Sequence, residues 1–164
     1  NMSEVKIKRS QVASFLNTGT SAVPVWSRMG KGITEQTIAY NPQTTTENYI
    51  HEDSANTSVD SYQVNVSTPQ TAYAGEPVFD YVDAIRQNRF VGASAETEIL
   101  IVYLYTNAPY KAELNKATIQ VDDFGGEGGG SVVLNYTVNL NGDPTIGTVV
   151  ITEGKPVFTP SDDM

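Results

Sequence analysis

The chain has 164 residues, of which 39% are hydrophobic, with nine Tyr and five Phe; this is enough apolar material for one core and one domain. A formal charge of −9 and a pI near 4.4 argue against tight binding of phosphate groups. The lack of Cys excludes disulfides, thiolate metal sites and cysteine nucleophiles, and a single His leaves no multi-histidine metal site. No apolar run approaches the roughly 20 residues that span a bilayer, and the N-terminal order is not that of a signal peptide, so the expectation is a chain without a membrane anchor.

Residues 1–20 are mostly polar, with a short apolar patch at Val12, Ala13, Phe15 and Leu16, and read as a flexible N-terminal arm with one helical turn. A first strand is expected over residues 22–29, with Pro24 placing it near an edge. A second runs from Gly30 to Pro42, and a third from Val59 to Val66. Residues 41–57 between them form a connection far longer than the roughly 2–5 residues of an ordinary hairpin loop. Thr45, Thr46, Tyr49, Ile50 and His51 lie in it, and the two apolar side chains read as anchors for a partner surface.

At Gly75 the period changes from two to 3.6. Pro77 suits a first helical position, and Val78, Phe79, Val82 and Ile85 fall on one stripe, predicting an α-helix over about residues 77–91. Residues 98–105 are apolar on both faces and predict a central strand covered on each side. Strands over residues 117–124 and 132–140 flank the glycine-rich segment 125–130, Asn141-Gly142-Asp143-Pro144 reads as a tight turn, and strands over 147–152 and 157–159 close the fold. Residues 160–164 read as a frayed acidic tail. The predicted fold is mainly β: an antiparallel β-sandwich or partly open barrel with one packed helix.

No constellation points to catalysis. The glycine-rich segment lacks a Gly-Lys-Ser/Thr ending, carries Glu127 where an anion would sit and precedes a strand, so a hairpin tip is the better reading. His51-Glu52-Asp53 are consecutive and do not converge on one ion. Asp122-Asp123 are adjacent on a strand, where neighbours alternate faces, and do not form a catalytic pair. No enzyme, cofactor or metal is expected. The distinctive pattern is a neutral polar face: Ser61, Gln63 and Asn65 alternate with Tyr62, Val64 and Val66, and Asn135, Thr137 and Asn139 alternate with Tyr136 and Val138. On these residues alone it reads first as the ordinary solvent-facing side of an antiparallel sheet, although such faces usually carry Lys and Glu and this one is amide- and hydroxyl-rich.

Five segments, Gly32-Ile-Thr-Glu35, Tyr40-Asn-Pro42, Tyr49-Ile-His-Glu-Asp53, Asp60-Ser-Tyr-Gln-Val64 and Gly75-Glu-Pro-Val-Phe-Asp-Tyr-Val82, together make residues 30–92 resemble the tube proteins of phage tails and related contractile injection machines. The resemblance implies a virion structural protein that assembles, in the bacterial host cytoplasm, into hexamer-like rings stacked as a tail tube. Self-association would be joined by contacts to other tail proteins such as the tape measure and terminator, with DNA only passing through. It makes Thr45, Thr46, Tyr49, Ile50 and His51 an inter-ring loop, and Ser61, Gln63, Asn65, Asn135, Thr137 and Asn139 the lining of a lumen. Phage, bacteriocin and secretion tubes all remain open at this point. The rival reading is a carbohydrate- or cell-surface-binding β-sandwich that uses Tyr103, Tyr105 and Tyr110.

Overall fold

The computed structural model describes residues 4–161, so the first three residues of the expected arm and residues 162–164 of the expected acidic tail lie outside the described residues. Its strands are β1 (Val12–Asn17), β2 (Trp26–Arg28), β3 (Thr37–Ala39), β4 (Pro42–Glu47), β5 (Asn56–Tyr62), β6 (Asn65–Thr71), β7 (Glu96–Tyr103), β8 (Tyr110–Gly125), β9 (Val133–Thr152) and β10 (Lys155–Pro160). One α-helix, α1 (Pro77–Asn88), sits between β6 and β7. Eight strands make one antiparallel sheet in the order β2-β1-β7-β8-β9-β6-β3, with β10 on β9, and the sheet is not closed into a barrel. β4 and β5 pair only with each other, as a separate two-stranded ribbon.

The helix forms where the period change predicts it. Glu76 caps it by accepting from the Phe79 amide at 2.8 Å, and Pro77, lacking an N–H, occupies the first turn, where none is needed. Arg89, with φ of 52°, ends the helix in the left-handed conformation, so it stops before Gly92 and short of the expected residue 91. Val78, Phe79, Val82 and Ile85 are buried against one face of the sheet with Leu16, Val66, Ile99, Ile101, Ile119, Leu134, Tyr136 and Val138. Burying a side chain of this size contributes about 1.5–3 kcal/mol. On the opposite face Ala13, Phe15, Leu100, Val102, Ala112 and Val149 form a second core, packed with Trp26, Leu104 and Phe158. β7 therefore feeds both cores by alternation, as its two-sided apolar sequence predicts.

Several expectations change. The arm expected to be flexible contains β1, whose Ala13, Phe15 and Leu16 are buried; like β7 it serves both cores, and a run of only six residues shows no clear period in sequence. The first strand shrinks to Trp26–Arg28, and of the second only Thr37–Ala39 joins the sheet. The third divides at Gln63-Val64 between the ribbon and β6. Asn141–Pro144 does not turn the chain. Lys116 pairs with Asn141 and Leu114 with Thr145, so the segment is a bulge that lets β9 bend and run on to its far end. The reversal comes later, at Glu153 (φ 52°) and Gly154 (φ 78°), a left-handed pair suited to a tight hairpin. The glycine-rich segment does connect β8 to β9 as a hairpin tip.

Candidate assembly surfaces

The sheet face away from α1, over β6, the first half of β9 and the second half of β8, is polar because residues there alternate with the core. Asn65 stands opposite Asn139 and Ser67 opposite Thr137, while the intervening Val66 and Val138 are fully buried. Side-chain bonds, most of them between strands, tie this face together. Asn139 Nδ2 donates to Gln120 Oε1 at 3.2 Å, and Gln120 Nε2 donates to Asp122 Oδ1 at 2.7 Å. Thr137 Oγ1 donates to Asp122 Oδ2 at 2.9 Å, Asn135 Nδ2 to Asp123 Oδ1 at 2.6 Å and Asn141 Nδ2 to Thr118 Oγ1 at 2.7 Å. From Thr118 to the end of β8, over β6 and along β9 to Asn141, there is no Lys or Arg.

The structure thus gathers Asn65, Asn135, Thr137 and Asn139 on one face, and adds Thr118, Gln120, Asp122 and Asp123. Ser61 lies in the ribbon, and Gln63 lies in the connection to β6, where its carbonyl accepts from Asn41 Nδ2 at 3.0 Å. Asp122 and Asp123 were missed because adjacent strand residues point to opposite faces. A register shift between Val121 and Asp123 brings both carboxylates to the same side, and alternation alone gives no sign of it.

Residues 41–57, expected to be a long loop, mostly form the ribbon: Thr46 pairs with Thr57 and Thr45 with Ser58, leaving residues 48–55 as its tip. The ribbon's hydrogen bonds are internal. Thr45 donates to Asp60, the Thr46 and Thr57 hydroxyls meet at 2.9 Å, Tyr49 Oη donates to Glu47 at 2.8 Å and Asn56 to Glu52 at 2.8 Å. Every residue of β4 and β5 is exposed, and at the tip Tyr49 stacks on His51 while Ile50 is entirely open to solvent. Two strands with neither face covered are marginal in water.

The aromatic residues behind the carbohydrate reading are largely engaged. Tyr103 Oη donates to Glu113 at 2.6 Å, and burial first, then that hydrogen bond, raises its pKa far above the usual tyrosine value. Tyr110 packs against the second core, which leaves Tyr105 as the exposed ring. Below the sheet, Tyr136 Oη donates to Gln70 Oε1 at 2.7 Å. Gln70 Nε2 donates to the Lys31 carbonyl at 3.1 Å and to Glu76 Oε1 at 2.9 Å, so one buried amide joins β9, β6, the helix cap and the 29–36 connection. Among the described residues no group of three or more His, Asp or Glu side chains is placed to hold a metal ion, and no helix is long and apolar enough to cross a membrane.

The fold, an open antiparallel sheet with a helix on one face, is similar to that of chains in two solved assemblies. The chain is similar in structure to the SPP1 tail tube, with a TM-score of 0.67 and 11% identity over 87% of this chain and 80% of that one. It is also similar to a chain of the anti-feeding prophage baseplate, with a TM-score of 0.50 and 11% identity over 88% of this chain and 97% of that one. At that identity the likeness is one of fold. No family model matches the sequence, and no curated protein matches it.

Proposed function

We propose that the chain is a structural subunit of a phage or prophage-derived tail tube, whose copies form rings by continuing the sheet from subunit to subunit and stack into a hollow channel. The observation that carries this reading is the hydrogen-bonded polar face, free of Lys and Arg, on an unclosed sheet whose end strands β2 and β3 cover only three residues each of β1 and β6. Exposed edges invite pairing with another copy, and ring closure removes them. The face would then line the lumen. Its neutral amides and the carboxylates of Asp122 and Asp123 would not hold a passing polyanion by counterion release. The ribbon would reach the next ring, giving its exposed faces a surface to cover them, and the other tail proteins would meet the ends of the tube. The likeness in fold to the SPP1 tail tube supports this assignment.

Electron microscopy of negatively stained protein over a range of concentrations tests it. Rings or tubes are expected as concentration rises. Monomer at every concentration, together with a melting temperature that rises with added sugar, would favour the carbohydrate-binding reading instead.

A further inference from the structure

Charge is divided sharply along this chain. Residues 5–34 hold Lys6, Lys8, Arg9, Arg28 and Lys31 and no carboxylate, whereas residues 42–62 hold Glu47, Glu52, Asp53 and Asp60 and no Lys or Arg. Of the first group, Arg9 and Arg28 line a cleft of about 290 Å³ between residues 9–14 and 28–36. There Arg9 donates to the Gln36 carbonyl at 3.1 and 3.2 Å and to the Val12 carbonyl at 2.7 Å, and Arg28 donates to the Ser10 carbonyl at 3.2 Å. Both guanidiniums are held in place by backbone oxygens, yet neither is neutralised. Glu35 lines the same cleft without pairing, and the one ion pair among the described residues is Arg86–Asp83. Ser14 also lines the cleft, and its Oγ is the buried side-chain polar atom without a hydrogen-bond partner among the described residues. Two fixed, unneutralised cations suit an incoming carboxylate.

We infer that the acidic tip of the β4–β5 ribbon of one copy docks in this cleft of the next copy, with Glu52 and Asp53 facing Arg28 and Arg9. The inference rests on the reading of the ribbon as an inter-subunit contact and names its receptor. The ribbon is an occupant that needs a surface: it is exposed throughout, and Ile50 is bare. In the single subunit none of its carboxylates pairs with the cleft. Tip and cleft are different patches, so the contact is head-to-tail and propagates, as stacking requires. Charge complementarity also counters the repulsion between copies that each carry −9.

The test is charge reversal at exposed positions. Glu52→Lys with Asp53→Lys, and separately Arg9→Glu with Arg28→Glu, should keep the circular dichroism of the folded chain, and should raise the concentration needed for assembly at least about tenfold. One chain carrying all four substitutions should assemble again. Assembly unaffected by either reversal, or not restored by the combination while deletion of residues 44–55 still blocks it, would overturn this docking and leave the ribbon's role standing. Normal assembly after that deletion would remove the role itself. Because the chain has no Cys, Arg28→Cys with Asp53→Cys gives an independent readout. Oxidation should produce a ladder of linked multimers, and monomer alone would refute the contact.

Discussion

At the scale of single residues, Gln70 does more than any other polar side chain to hold the elements in place. It is fully buried and touches β9, the helix cap and the 29–36 connection through one amide. Tyr136→Phe keeps the ring and removes the donor, leaving Gln70 Oε1 buried and unsatisfied. It should cost about 1–3 kcal/mol in a urea unfolding experiment with an unchanged slope. The same tyrosine sets an alkaline limit. Burial, with the Glu76 carboxylate adding to it, raises its pKa well above the usual value of about 10, so below that pH both folded and unfolded states keep the proton and stability is flat. Above it the unfolded chain ionises first, and stability should fall by up to about 1.4 kcal/mol per pH unit from Tyr136. Tyr103, raised by burial and by its bond to Glu113, adds in the same direction. Unfolding midpoints between pH 8 and 12 check the sign, and Tyr136→Phe should shallow the decline.

At the scale of elements, helix and ribbon are opposites. The helix is legible because its stripe, cap and first-turn Pro agree, and its burial in the main core then confirms each choice. The ribbon has no core to read. Its alternation is polar on polar, its turn signals are spread over residues 48–55, and it looks like a loop because nothing in this subunit covers it. Since every residue of β4 and β5 is exposed and the ribbon adds none to either core, deleting residues 44–55 should leave melting close to that of the intact chain and abolish tubes. Sedimentation and microscopy of the deletion read both outcomes. A large loss of stability would mean that the ribbon props up the domain itself.

At the scale of the whole molecule, the proposed channel wall predicts an asymmetry between stability and transport. Asn65 is half-buried on the polar face, opposite Asn139, and no side-chain bond holds it. Asn65→Lys should change stability by only about ±0.5 kcal/mol, as surface substitutions usually do. Ring symmetry would repeat the new charge as a positive belt, however, and particles with such tubes should eject DNA more slowly, most markedly at low salt. Normal ejection by a folded, assembled variant would place this face outside the lumen.

The sequence by itself determined the class of the fold, the single helix with its start, the two-sided central strand and the alternation that separates Asn135, Thr137 and Asn139 from Tyr136 and Val138. These are local properties, decided by periods and caps within a dozen residues. Only the tertiary structure decided that Val12–Asn17 is a core strand, that Asn141–Pro144 is a bulge and not a turn, and that a second bulge brings Asp122 and Asp123 to one face. It also brought Arg9 and Arg28 together, some twenty residues apart, around one cleft. Strand register and long-range convergence depend on which partner lies across the sheet, and no window of local sequence contains that partner.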